Sequence, residues 1–169
     1  MYKKLNILES RLPNAVQAAN LRIGIVKTAW NTEIVEALYQ DCVKQLVTQG
    51  VLAKNISVRV VPGAFELAHG TQQLLAQQKC EVIICLGALL QGATYHFEVL
   101  ANSVTHALQM LSISCGVPVI FGVLTCNHEQ AVERVYDGIA KGWADSALMM
   151  THQENMQVPS LETMHQPQL

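Results

Sequence analysis

The stretch EVIICLGALLQGATYHFEVLANSVTH, residues 81–106, decides the fold that this sequence predicts. It begins with an almost unbroken apolar run, as expected for a strand that is buried on both faces of a sheet. The run ends in a loop flanked by Gly87 and Gly92, and the chain restarts as a helix that carries Thr94 and His96. Backbone amides at such a helix start can face an anion. We therefore expect a ligand site with one imidazole here.

Three other segments have the apolar, β-branched composition of strands. They are LRIGIVKT (21–28), ISVRVV (56–61) and VPVIFGVL (117–124), and the strand at 81–88 is third in chain order. Strands that alternate with helical segments indicate right-handed crossovers and a parallel sheet. The predicted fold class is α/β, a three-layer α-β-α sandwich with a four-stranded parallel sheet, flavodoxin-like in style.

Apolar residues that recur every three or four positions predict the helices between these strands. Asn31 is expected to cap the first helix, and Gly116 and Gly138 to end later ones. The other predicted helices cover residues 66–78, 96–115, 129–136 and 141–152.

The length of 169 residues fits one domain. We expect an N-terminal extension over 1–20, a single domain over 21–152, and a polar, proline-containing tail over 153–169 that is disordered. The segment LNIL at 5–8 is compatible with a short strand, although its pattern does not decide the matter.

Composition limits the partners. Half of the residues are hydrophobic and only 14% are charged, which favours self-association. The net charge of −2 gives no basic stripe for nucleic acid. The apolar run 82–90 is too short to cross a membrane, and no secretory signal pattern is present at the N-terminus, so we expect a cytoplasmic protein.

The cysteines and histidines give no sign of a metal site. No CxxC pair, HxxxH motif or His-carboxylate cluster occurs, so reduced, buried, inert thiols are expected rather than zinc ligands or disulfides. The five cysteines are Cys42, Cys80, Cys85, Cys115 and Cys126. The sequence also lacks the motifs of a hydrolase triad, a P-loop and a dinucleotide fold.

The turns that follow the strands supply the candidate binding residues, because ligands of parallel sheets collect at the carboxyl ends of the strands. Trp30 could stack on a flat heterocycle or simply pack at a helix start. Glu66 could accept hydrogen bonds from ligand hydroxyls, although its spacing favours a bond to the backbone amides of its own helix. His96 is placed for proton transfer, although a lone histidine is more often structural.

Several blocks together resemble the 6,7-dimethyl-8-ribityllumazine synthase family. They occur in the family's order and cover about residues 21–150. The blocks are TAWN (28–31), VPGAFEL (61–67), LGALLQGATYHFEVLAN (86–102), GVPVIFGVLT (116–125), EQAVERV (129–135) and KGW (141–143).

The resemblance implies a transferase of riboflavin biosynthesis. The family condenses 5-amino-6-(D-ribitylamino)uracil with 3,4-dihydroxy-2-butanone 4-phosphate, in the penultimate step, without metal or organic cofactor. It also implies a homo-oligomer, a pentamer or a multiple of one, with the site between adjacent subunits. The alternative is a catalytically weak paralogue that binds flavin or lumazine, and Trp30, in place of the commoner Phe, would suit riboflavin binding.

The resemblance also implies roles for single residues. His96 matches the proton-transferring histidine of the family. The substrate-binding positions are Trp30, Asn31, Gly63, Ala64, Phe65, Glu66, Ala88, Leu89, Leu90 and Phe121. The phosphate-binding positions are Gly92, Ala93, Thr94, Arg134 and Lys141. One departure is Gln91, where many relatives have a basic residue, and we expect it to weaken binding of the phosphate substrate.

Overall fold

The structure is a computed structural model that describes residues 12–154. Its elements are α1 (Ala15–Ala19), β1 (Ile23–Thr28), α2 (Thr32–Thr48), β2 (Ile56–Val61), α3 (Leu67–Gln77), β3 (Val82–Leu90), α4 (His96–Cys115), β4 (Val119–Cys126), α5 (His128–Tyr136) and α6 (Ile139–Glu154). Single 3₁₀ turns precede β2 and α3, over Ala53–Asn55 and Ala64–Glu66. The segment at 5–8 and most of the predicted tail lie outside the described residues.

The four strands form one parallel sheet in the order β2-β1-β3-β4. Helices cover both faces, so the predicted α/β three-layer sandwich with flavodoxin-like topology is confirmed. All four strands point the same way, so their carboxyl ends lie along one edge of the sheet. The turns that follow them therefore face the same region of space.

Each face of the sheet has its own apolar core. Alternate residues of the central strands, such as Ile25 and Ile84, pack with α2, α5 and α6. The intervening residues, such as Val26 and Ile83, pack with α3 and α4. Burial on both faces explains why β1 and β3 have continuous apolar runs instead of an alternating pattern.

The ends of two strands differ from the prediction. β3 runs to Leu90 and β4 to Cys126, each two residues further than expected, because their ladder continues through Leu90 opposite Cys126. Gly87 therefore lies inside β3 and does not end it. A Cβ atom at Gly87 would lie 3.2 Å from Cγ2 of Thr28, so the glycine permits close packing against the end of β1.

The predicted cap at Asn31 is wrong in its mechanism. Asn31 does precede α2, but its side chain makes no hydrogen bond to the amides of the helix. Gly116 and Gly138 have positive φ angles of 68° and 72° and stand where helices end, as predicted. The helix predicted over 66–78 begins as a 3₁₀ turn and becomes α-helical at Leu67.

Asparagine caps define two other helix starts. Asn14 and Asn127 each form a capping box with the glutamine three residues later, at the start of α1 and α5. The short helix α1 lies in the predicted N-terminal extension and was not expected. α6 is longer than the predicted 141–152 and reaches Glu154.

The cysteines match the prediction only in part. Cys42, Cys80 and Cys85 are buried, and burial raises the pKa of Cys42 and of Cys85 to about 12, so these thiols stay protonated at neutral pH. Cys126 is half-buried, and Cys115 is exposed, so the prediction of burial is wrong for Cys115. Across residues 12–154, no three side chains of His, Cys, Asp or Glu gather as metal ligands would. None of the described helices is long and apolar enough to cross a membrane.

Candidate functional site

A cavity of about 300 Å³ lies at the carboxyl ends of β1, β2 and β3. Its walls come from the turns after these strands and from the first turns of α4. The lining residues are Thr28, Trp30, Ala64, Phe65, Glu66, Ala88, Leu89, His96 and Leu100. Seven of the residues predicted to be functional are thus brought together: Trp30, Ala64, Phe65, Glu66, Ala88, Leu89 and His96.

Trp30 forms one wall of this cavity. The turn that carries it is tied to the end of β2, because the amides of Ala29 and Trp30 donate to the carbonyls of Val61 and Pro62 at 2.8 and 3.1 Å. The Trp30 side chain is nevertheless 68% exposed. An exposed indole on a fixed backbone suits stacking on a flat ring.

Gly63 lies directly beneath the indole. A Cβ atom at this position would lie 2.9 Å from Cε3 of Trp30 and 3.4 Å from Oε2 of Glu66. The contact with Trp30 is closer than van der Waals packing allows, so the absence of a side chain at Gly63 lets the indole approach the β2 turn. Gly63 does not line the cavity itself, but it helps to set the position of the wall.

Glu66 ends the 3₁₀ turn that follows Gly63. Its Oε2 accepts a hydrogen bond from the amide of Gly63 at 3.0 Å, which confirms the backbone role that its spacing favoured. Within the described part of the chain, Oε1 of Glu66 has no such partner. Glu66 also lines the cavity, so this second oxygen can accept from a ligand hydroxyl. The two roles predicted for Glu66 are therefore compatible.

His96 is the first residue of α4, and its side chain is exposed and lines the cavity. The loop before it, which holds Gly92, Ala93 and Thr94, is exposed throughout. An exposed imidazole at the cavity mouth can exchange protons with a bound ligand and with water.

Several predicted residues do not line the cavity. Phe121 is half-buried and packs against the core beneath α3 and α4. Leu90 packs in the other core, and the side chain of Asn31 donates to the carbonyl of Ala88. Arg134 and Lys141 are exposed on α5 and α6. The cavity of the single chain thus contains His96 and most of the residues predicted for the ring, but none of the five predicted for the phosphate.

Arg134 nevertheless lies near the loop. Burial raises the pKa of Cys126, and the positive charge of Arg134 acts on the same thiol in the opposite direction. The carbonyl of Cys126 in turn accepts from the amide of Gln91 at 3.0 Å. Cys126 thus links the two: Arg134 and Gln91, the first residue of the loop, both lie near the carboxyl end of β4.

Thr28 and Leu100 line the cavity but were not predicted. Thr28 is the last residue of β1, and Leu100 stands four residues after His96, on the same face of α4. The spacing from His96 could have identified Leu100. A larger and more open concavity of about 430 Å³ lies between α3 and α4 and contains His69 and Met110. It is formed by helix surfaces and not by strand ends.

Comparisons with known proteins agree on one family. A sequence model described as 6,7-dimethyl-8-ribityllumazine synthase matches residues 20–155. A protein of that name from Flavobacterium psychrophilum is 39% identical over 74% of the chain and 65% of its own length. Those from Cytophaga hutchinsonii and Nitrosospira multiformis are 39% and 36% identical. They are matched over 78% and 90% of the chain and over 82% and 92% of their own lengths.

Proposed function

The chain belongs to the 6,7-dimethyl-8-ribityllumazine synthase family, and from that premise we propose the reaction that it catalyses. It is a transferase of riboflavin biosynthesis that joins 5-amino-6-(D-ribitylamino)uracil to 3,4-dihydroxy-2-butanone 4-phosphate. The observation that carries the proposal is the cavity that brings Trp30, Glu66 and His96 together at the ends of three strands.

The cavity walls suit the pyrimidine substrate. Its flat ring stacks on the exposed indole of Trp30, against the β3 backbone at Ala88 and Leu89. Its ribityl chain runs along the turn after β2, where Oε1 of Glu66 accepts from hydroxyl groups. Because Oε2 of Glu66 is held by the Gly63 amide, the carboxylate is fixed in place before the substrate arrives.

The chemistry needs proton transfers and orientation more than a strong nucleophile. The substrate amine attacks the ketone, and loss of one water gives an imine. Elimination of phosphate follows, and ring closure with loss of a second water gives the lumazine. His96 moves protons in these steps. Gly92, Ala93 and Thr94, with Arg134 and Lys141, are proposed to hold the phosphate group.

Assembly is part of the proposal, as a homo-oligomer built on a pentamer. Large apolar side chains are exposed beside the cavity and elsewhere, and these exposures favour coverage by further copies. Examples are Phe65, Tyr95, Val99 and Tyr136. A neighbouring copy could contribute its own Phe121 and Arg134 to the cavity, next to the walls that Trp30 and the β3 backbone form. Native mass spectrometry tests this, and a monomeric mass at micromolar concentration would contradict it.

A cytoplasmic location remains a prediction. The unpaired thiols of Cys42, Cys80, Cys85, Cys115 and Cys126 accord with a reducing compartment.

The decisive experiment mixes the purified protein with both substrates and follows lumazine fluorescence. Product should form well above the rate of the uncatalysed reaction, which is measured in the same buffer without protein. Omission of the butanone phosphate should abolish the signal. If no product forms above background while riboflavin still quenches the tryptophan emission, the chain is a flavin-binding paralogue and the proposed reaction is wrong.

A further inference from the structure

Asn31 has an unusual backbone for its place in the fold. Its φ and ψ angles are 56° and 44°, and it is the single non-glycine residue with positive φ within residues 12–154. Left-handed backbone is disfavoured for residues with a Cβ atom, and asparagine tolerates it better than most. Such a conformation persists only when the surrounding structure holds it. The side chain of Asn31 shows what holds it.

The Asn31 side-chain amide bridges two parts of the sheet edge. Its Nδ2 donates to the carbonyl of Ala88 at 2.8 Å, across 57 positions in the sequence. The backbone ladder between β1 and β3 stops at Lys27 and Leu86. Ala88 lies past its end, so the Asn31 side chain continues the connection where backbone pairing has stopped.

The bridge joins the two walls of the cavity. Trp30, the residue before Asn31, forms one wall, and Ala88 forms part of the other. Besides this bond, Thr28 Oγ1 donates to the Trp30 carbonyl at 3.2 Å and Thr32 Oγ1 to the Ala29 carbonyl at 2.6 Å. These two bonds stay within the turn after β1 and do not reach β3.

We propose that Asn31 is a positioning residue that sets the gap between the Trp30 indole and the β3 backbone, and so fits the slot to one planar heteroaromatic ring. It acts through Trp30 and Ala88, because one N–H of its side-chain amide is bound to the Ala88 carbonyl and its backbone directly follows Trp30. The identity of the ring rests on the proposed function, whereas the bridge itself does not.

Three substitutions separate the backbone role of Asn31 from the bridge. Asn31→Gly adopts the left-handed turn freely and removes only the amide. Asn31→Asp keeps the size and the turn but replaces the donor by an acceptor, which cannot bond to a carbonyl. Thr32→Ala is the matched control, because it removes a side-chain hydrogen bond of the same turn without touching β3.

The first measurement is ¹⁹F NMR of the unliganded protein labelled with 5-fluorotryptophan. The chain has two tryptophans, so two resonances are expected, and Trp30→Phe assigns them. Asn31→Gly and Asn31→Asp should shift or broaden the Trp30 resonance and leave that of Trp143, an internal control, in place. Thr32→Ala should change the Trp30 resonance less than either. An unchanged Trp30 resonance in the two Asn31 variants, or an equal change in Thr32→Ala, overturns the proposal.

The second measurement is steady-state kinetics. Asn31→Gly and Asn31→Asp should raise the KM for the pyrimidine substrate about five- to tenfold, the usual worth of one hydrogen bond, with an unchanged KM for the butanone phosphate. A raised KM with an unchanged Trp30 resonance would show direct contact between Asn31 and substrate, against the proposal. If the wild type forms no lumazine, the proposed reaction fails, and the fluorine spectra still decide the role of Asn31.

Discussion

The two ends of the candidate site are built differently. At the ring end, hydrogen bonds within the chain hold each wall, from Asn31 to Ala88 and from the Gly63 amide to Glu66. At the phosphate end, Thr94, Arg134 and Lys141 are all exposed. Their side chains make no hydrogen bond or ion pair to any other residue that the structure describes.

The difference follows from what each end must recognise. Stacking on a flat ring depends on a gap of fixed width, and that requires walls that are positioned before the ligand binds. A phosphate group is attracted by charge over several ångströms, so its cations can gather from separate elements. Substitutions at the ring end should therefore act through shape, and those at the phosphate end through charge.

The largest effect is expected at Arg134. Removal of its charge in Arg134→Ala should lower kcat/KM for the butanone phosphate about 100-fold, since charged hydrogen bonds are worth roughly 1.5 to 3 kcal/mol each. Steady-state kinetics with each substrate in turn measure this. Lys54→Ala, which removes an exposed charge in the turn before β2, should have no such effect. Equal losses for both substrates would place Arg134 outside the phosphate end.

His96 is expected to come next. His96→Ala should lower kcat roughly 10- to 100-fold, because orientation of the two substrates survives loss of the imidazole. Stopped-flow lumazine fluorescence gives the rate. His106→Ala, an exposed histidine on the same helix, serves as the control. Loss of folding or assembly in His96→Ala, seen by circular dichroism or native mass, would instead indicate a structural histidine.

Gly63 tests the ring end through shape. The Cβ atom of Gly63→Ala would lie 2.9 Å from the Trp30 ring, so the indole must tilt. Overpacking of this kind commonly costs 1 to 3 kcal/mol, and we expect about a tenfold rise in the KM for the pyrimidine. Gly92→Ala is the matched change at the phosphate end, where a Cβ atom would meet nothing within 4 Å in the single chain. A similar rise in the KM for the pyrimidine in both variants would show that the two ends do not differ in their sensitivity to shape.

Gln91 tests the phosphate end through charge. Gln91→Arg adds a cation at the start of the loop and should lower the KM for the butanone phosphate about fivefold, mostly at low salt. The kinetics are measured at two ionic strengths. Gln72→Arg, an exposed site on α3, controls for net charge. A KM that stays the same at both ionic strengths would contradict the role given to Gln91.

The smallest effect, on stability, is expected in α2, the helix that follows the turn carrying Trp30. Lys27 and Gln40 donate hydrogen bonds to Glu36, and these bonds lower the pKa of the Glu36 carboxyl below its usual 4.5. A lowered pKa in the folded state stabilises the protein above about pH 4.5 and ceases to do so as pH falls through the folded value. Because the Glu36 side chain is 44% exposed and screened by solvent, Glu36→Gln should cost under about 1 kcal/mol at pH 7 and progressively less in acid. Urea unfolding at several pH values measures this.

A Lys27→Met variant separates the ion pair from other effects at Glu36. Its stability should have a weaker acid dependence than that of the wild type, and the double variant should lose less than the sum of the single losses. Additive losses would show that Lys27 and Glu36 do not interact.

Much of the fold could be predicted because both faces of the central strands are buried. The segment 56–61 was assigned as a strand with its observed ends, and 96–115 as a helix with its observed ends. The errors at β3 and β4 arise because the ladder continues past Ala88 and Leu124, where these strands were predicted to end, and only the pairing of Leu90 with Cys126 shows where it stops. α1 has five residues, too few for a periodic pattern.

The ring end was more predictable than the phosphate end. Trp30 and Glu66 lie in the turns that follow β1 and β2, so the topology alone brings them to one edge of the sheet. The bond from Asn31 to Ala88 spans 57 positions and leaves no periodic trace in the sequence. The positions predicted for Phe121 and Arg134 still depend on the resemblance to the family, since the single chain does not place them in the cavity.

The strand order has a consequence for how the chain folds. β1 lies between β2 and β3, and Ile23 pairs with Val82, 59 positions later. Contacts between residues so distant in sequence slow folding, because a long loop must close before they form. During synthesis, β1 can meet only β2 until β3 has left the ribosome, and one edge of β1 stays unpaired meanwhile. We therefore expect this protein to fold slowly and to depend on protection from aggregation until β3 is complete.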